Sequence, residues 1–183
     1  MIAELNKNKN HIQVINAIGS LKKSYSNIKL ICIGDGNMMQ SLKKEIISKD
    51  LQNNIFILGY REDVNELINI SDIGILMSYR EGLPRNIMEF MACGRKVIAT
   101  NIRGCRDLVC NENVGILVKV GDFDTTAKAI EKYYLLKDKT FRISDEIIKY
   151  DIKSVNKELL KIYEEIELGI NSERGISSYV SSR

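Results

Sequence analysis

At 183 residues, 44% apolar and 28% charged, the chain fits one domain that buries about 70% of its unfolded surface. A net charge of +3, with lysines scattered over helical faces, gives no footing for a nucleic-acid partner. No tract reaches the ~18 apolar residues of a membrane span, and Glu4 with the NKNKN run interrupts any signal-peptide core.

In chain order, residues 1–5 (MIAEL) read as a first strand, followed by NKNKNH and an amphipathic helix over 12–25. Residues 28–33 (IKLICI) are a continuous apolar strand ended by Gly34-Asp35-Gly36. A helix over 38–49 carries Leu42, Ile46 and Ile47 on one face, and a strand over 55–58 leads through Gly59 to a short helix over 63–70. Strands follow at 73–77 (IGILM) and 96–100 (KVIAT), with the stretch EGLPRNIMEFMACG between them. Beyond these, the pattern predicts a short helix over 105–110, a strand over 114–120, and helices over 125–137, 139–149 and 152–168. Six strands alternating with helices predict a Rossmann-like α/β domain over 1–169, its parallel sheet covered by helices on both faces. The serine-rich polar tail over 170–183 is expected to be disordered.

Four cysteines (Cys32, Cys93, Cys105, Cys110) show no CxxC spacing, and His11 is the lone histidine, so neither a zinc site nor a disulfide framework is expected. Reduced thiols in a cytoplasmic protein fit this usage. Gly34-Asp35-Gly36 begins like a dinucleotide fingerprint but lacks the third glycine and follows the second strand. Asp122-Phe123-Asp124 has the form of a metal-holding DxD, yet it lies between a strand and a helix, where Asp124 suits the N-cap of the helix from Thr125.

The stretch from Glu81 to Gly94 holds the chain's one proline, Pro84, and two glutamates eight positions apart, Glu81 and Glu89. Strand, loop, helix and strand here make a βαβ unit, and loops at the carboxyl ends of such strands bind ligands. Pro84 suits the first helical position, because its missing N–H would have no partner there. The first turn then offers free amides and a positive dipole end to a phosphate. Ile87, Phe90, Met91 and, at the margin, Met88 face the sheet, while Arg85 and Glu89 share the outer face four apart. As an exposed ion pair those two contribute about 0.3–0.5 kcal/mol at most.

Glu81-GLPRNIM-Glu89, followed by FMACGRKVIAT, resembles the E-x7-E signature of the retaining GT-B glycosyltransferases of family 4, glycosyl transferase group 1. Supporting matches are Gly34-Asp35-Gly36, Leu58-Gly59-Tyr60, Ser71-Asp72-Ile73 and Arg103-Gly104 with Asp107. The resemblance covers roughly residues 2–169 and only the C-terminal, nucleotide-sugar-binding half of that fold. It implies a nucleotide-diphosphate sugar as donor, with a UDP-sugar expected, and no metal or other cofactor. Glu89 is then expected to accept from the ribose hydroxyls and Glu81 to orient the sugar. Lys9 and the amides of the stretch Gly82, Leu83, Pro84 and Arg85 are expected to stabilise the charge that develops on the leaving diphosphate. Gly34 and Gly36 would border the pocket, and Tyr60 and Arg61 would lie over the base.

One departure stands out. The basic residue that the family usually places directly after the first strand is Glu4 here, and Arg85 or Arg103 is expected to replace its charge. Retention of configuration follows from the resemblance alone. An acceptor-binding Rossmann-like domain, in cis or as a subunit, is expected to be needed for transfer. Membrane contact is expected only through that domain or a lipid-linked acceptor at the inner face. Two alternatives remain open on these residues: a subunit or truncated product that binds the donor without acting on it, and half of a sugar-nucleotide 2-epimerase, which E-x7-E disfavours.

Overall fold

The computed structural model describes residues 1–136 and 150–167. The helix expected over 139–149 and the tail over 170–183 lie outside the described residues. The chain falls into two units, Met1–Ile143 and Ser144–Arg183.

The first unit is α/β with every strand pair parallel. Strands β1 (Leu30–Ile33) and β2 (Ile55–Gly59) form one pair, and β3 (Gly74–Leu76), β4 (Val97–Thr100) and β5 (Gly115–Val118) form a sheet in that order. Every residue of β3 and β4 is buried, as expected of parallel strands covered on both faces, whereas β2 alternates in exposure. Around them run α1 (His11–Leu21), α2 (Met39–Ser48), α3 (Val64–Asn69), α4 (Arg85–Ala92), α5 (Arg103–Arg106) and α6 (Phe123–Leu135). Helix α1 packs on α6, and α4 packs on β3 and β4. Gly74 in β3 has no side chain because the Phe90 ring of α4 occupies its place: a Cβ there would lie 2.5 Å from the ring.

Among the described residues five strands form, not six. Residues 1–5 contribute an isolated parallel bridge, Ile2 to Ile33, in which the Ala3 amide donates to the Ile33 carbonyl at 2.9 Å. The ladder goes no further because, although Leu5 still donates to the Asp35 carbonyl at 2.8 Å, the Asp35 amide makes no return bond to the Ala3 carbonyl among the described residues. Helix α1 ends at Leu21, short of Tyr25, because the Lys23 amide makes no i→i−4 bond among the described residues and Ser24 donates to Leu21 three residues back at 3.0 Å. Helix α5 starts before Cys105 and ends earlier than expected. The cap of α6 is Asp122, not Asp124: its side chain accepts from the Thr125 amide at 2.9 Å, and this bond holds the Asp122 carboxyl below its ordinary range. Asp124 sits in the first turn, where its charge complements the helix dipole.

In the second unit, α7 (Ile152–Glu167) begins at Asp151, whose side chain accepts from the Lys153 amide at 3.2 Å. Among the described residues no helix is long and apolar enough to cross a membrane.

His11, at the start of α1, is 2% exposed and neither ring nitrogen has a partner among the described residues. Burial, with the positive N-terminus and Lys9 nearby, lowers its pKa to about 4 from 6.5. The unfolded chain therefore binds this proton more readily than the folded one. Stability from a neutral His11 is complete above pH 6.5 and is lost as the pH falls toward 4. Across that range the loss amounts to about 3 kcal/mol. Urea unfolding between pH 7 and 4 is expected to show this loss, and His11→Phe is expected to flatten that part of the profile. An unchanged slope in the mutant would place the titration elsewhere.

Candidate functional site

Within each sheet the parallel strands put their carboxyl ends on one edge, and residues 3–13 tie together the loops leaving β1, β3 and β5. The first of these constraints is glycine. Gly34 has φ +137° and a Cβ on it would lie 2.2 Å from the Ala3 carbonyl oxygen; Gly36 has φ +154° and the same problem with Leu5 at 2.5 Å. Only glycine lets the loop after β1 run against residues 3–5. That contact is then fixed by hydrogen bonds from Leu5 to Asp35 and from Met38 to Leu5, each 2.8 Å. Gly34 also donates to the Gly59 carbonyl at 2.8 Å, which draws the end of β2 to the same place.

Residues Lys7–Lys9 form a single 3-10 turn capped by Asn6, whose side chain accepts from the Lys9 amide at 3.1 Å. Asn10 ends it in the left-handed region, at φ +48°. From this turn the Lys9 ammonium reaches across 72 positions of sequence to Glu81, with Nζ to Oε1 at 2.5 Å. Both side chains are largely withdrawn from water, 22% and 13% exposed, so the pair is better shielded than a surface bridge. Two of the expected site residues are thus brought together, the predicted sugar-side carboxylate and the predicted phosphate-side cation.

Pro84 is the N-cap of α4, not its first helical residue. Its ψ of 108° is extended, and its carbonyl accepts from the Ile87 amide at 3.2 Å. The helix therefore opens at Arg85. The amides of Gly82, Leu83, Arg85 and Asn86 have no acceptor among the described residues, leaving the positive end of α4 open. Gly94, at φ +66°, ends the helix as expected. On α4, Ile87, Phe90 and Met91 are buried while Arg85 and Glu89 are exposed. Those two form no ion pair among the described residues.

The loop after β4 completes the edge. A Cβ on Gly104 would lie 2.0 Å from the Gly82 carbonyl oxygen, so α5 abuts the Glu81–Gly82 peptide and brings Arg103 to its border. Cys105, buried behind it, has its thiol pushed up to about 12, first by burial and then by the Glu81 carboxylate. Glu4 is exposed, with its backbone against Gly34. Tyr60 is 77% exposed, and Arg61 is engaged by Asp63 through two hydrogen bonds of 2.8 and 2.5 Å. No group of three His, Cys, Asp or Glu side chains among the described residues could hold a metal.

Two residues here carried no signal in the sequence. Gln13, 3% exposed on α1, donates to the Lys119 carbonyl and to Thr126 and accepts from the Gly121 amide, holding the loop after β5. Asn8, inside a run of solvated type, bonds the backbone after β3.

Comparison with known proteins matches this architecture. Residues 1–152 match the family described as glycosyl transferases group 1. Over 132 residues the chain is 35% identical to a putative glycosyltransferase, EpsD, of Bacillus subtilis, covering 72% of this chain and 35% of that protein. It is 34% identical over 101 residues to an Escherichia coli UDP-Gal:alpha-D-GlcNAc-diphosphoundecaprenol alpha-1,3-galactosyltransferase, 55% of this chain and 26% of the relative. The Anabaena protein HepE, solved in complex with UDP, superposes with a TM-score of 0.81 at 23% identity, covering 90% of this chain and 47% of HepE. The chain thus spans 26–35% of these two curated relatives and about half of the solved structure. The fold is that of the C-terminal half of GT-B transferases. With the family match covering residues 1–152 and the E-x7-E loop set at the carboxyl edge of a parallel sheet, the chain belongs to the glycosyl transferases group 1 family.

Proposed function

We propose that this chain binds a nucleoside-diphosphate sugar, a UDP-sugar, and serves as the donor domain of a retaining glycosyltransferase. The observation that carries the reading is the Lys9–Glu81 pair set beside the open amides of Gly82, Leu83, Arg85 and Asn86. This arrangement offers a diphosphate a cation and a row of fixed donors, the requirements for stabilising a leaving phosphate. Glu81 takes the sugar hydroxyls once the donor enters, and Glu89, exposed on the outer face of α4, accepts from the ribose. Arg103 at the border of Gly82, or Arg85, supplies the charge that Glu4 does not. The UDP held by HepE and the UDP-Gal named for the Escherichia coli relative support a uridine donor. The diphosphoundecaprenol in that relative's name supports a lipid-linked acceptor. Transfer is proposed to need an acceptor-binding domain, since relatives of this family are two to four times longer than the matched region.

Titration calorimetry tests the reading: UDP is expected to bind the chain without added metal. Glu89→Gln is expected to weaken UDP about tenfold or more, the worth of a charge-assisted hydrogen bond. Glu81→Gln is expected to leave UDP affinity undiminished, because Lys9 is released, while weakening the UDP-sugar. No heat with UDP or GDP at millimolar concentration would count against the reading, and equal losses of UDP in both mutants would reassign the two glutamates.

A further inference from the structure

We propose that Asn8 is a positioning residue of this site: it holds the loop after β3 so that Glu81 stands opposite Lys9. The role in sugar binding rests on the donor reading above; the geometric role does not.

The loop from Tyr79 to Leu83 has little else to hold it. Asn8 takes both backbone groups of Arg80, its Nδ2 donating to the Arg80 carbonyl at 3.0 Å and its Oδ1 accepting from the Arg80 amide at 3.1 Å. The Asn8 carbonyl also accepts from the Tyr79 amide at 2.8 Å. A side-chain amide presents a donor and an acceptor in one plane and so acts as a strand partner for a single residue. Immediately beyond, the Gly82 and Leu83 amides have no acceptor among the described residues. Beyond the Lys9–Glu81 bond, a further restraint is steric, the Gly104 contact with Gly82.

The neighbouring asparagines serve a different end. Asn6 bonds the Lys9 amide and Asn10 bonds Gln13, so both shape the turn itself. Asn8 alone of the three ties the turn to the loop. Lys9 and Glu81 are each one residue further along than Asn8 and Arg80, so a fixed Asn8–Arg80 bond fixes the approach of the next pair. Without it, a flexible lysine could still find a carboxylate, but at no set place on the loop.

Asn8→Ala removes both side-chain bonds, and Asn8→Asp keeps the volume and the acceptor while turning an oxygen toward the Arg80 carbonyl. Hydrogen exchange is expected to show the Arg80 amide losing protection in Asn8→Ala while the Tyr79 amide, bonded to the Asn8 backbone, keeps it. A Lys9→Met, Glu81→Gln double-mutant cycle by urea unfolding is expected to show coupling with Asn8 present and none in either Asn8 variant. UDP-glucose affinity is expected to fall about tenfold in both variants, the loss of one charge-assisted contact, with UDP less affected. Coupling that persists in both variants, or coupling lost with UDP-glucose affinity intact, would overturn the positioning role. If the unmutated chain binds no nucleotide, the donor reading fails, and the coupling and exchange measurements still decide whether Asn8 sets the pair.

Discussion

Lys9→Met is expected to reduce UDP affinity by roughly ten- to a hundredfold, the ~1.5–3 kcal/mol of a charge-assisted hydrogen bond to a diphosphate. Two effects add. The cation is removed, and Glu81, only 13% exposed, loses its partner at 2.5 Å and faces the incoming phosphates as a bare charge. The double mutant Lys9→Met, Glu81→Gln separates them. It is expected to recover folding stability lost by the single mutant, because no charge is left unpaired, yet to recover only part of the UDP affinity. Calorimetry on the three variants checks this, and full recovery of UDP binding in the double mutant would remove Lys9 from the phosphate site.

Gly34→Ala is expected to destabilise the fold by about 3–5 kcal/mol, combining overpacking with the strain of a left-handed backbone. The added Cβ would lie 2.2 Å from the Ala3 carbonyl oxygen and 2.9 Å from its carbon, at φ +137°. Backbone on both sides leaves no flexible side chain to yield. Relief requires residues 3–5 to move, and the turn carrying Lys9 moves with them. Gly59→Ala supplies the comparison: its φ is +72°, but nothing lies within 4 Å of the new Cβ. It is expected to cost about 1–2 kcal/mol, the conformational share alone. Urea midpoints at constant slope measure both, and similar losses would show that the Ala3 contact is not what requires glycine.

The sequence by itself determined the order and type of most of the described elements. Apolar runs such as Ile98 among KVIAT, and the 3.6-residue spacing of Ile87, Phe90 and Met91, are local properties, and their buried faces were legible before any contact was known. The Glu81–Glu89 stretch carried the resemblance to the family that the match over residues 1–152 shows. Local pattern was weaker at the ends of elements, where one hydrogen bond decides. Asp122 displaced Asp124 as cap because the helix opens at Phe123, and Pro84 became the cap of α4 because its ψ is extended. The expected first strand shrank to one bridge because the Asp35 amide makes no return bond to the Ala3 carbonyl among the described residues. Tertiary structure alone decided the meeting of Lys9 with Glu81 and the clasp of Asn8 on Arg80, each across 72 positions. A lysine or asparagine in a polar run has the same local pattern whether it is solvated or bonded. Which it becomes depends on the parallel topology that brings the first turn beside the loop after β3, and no periodicity records that distance.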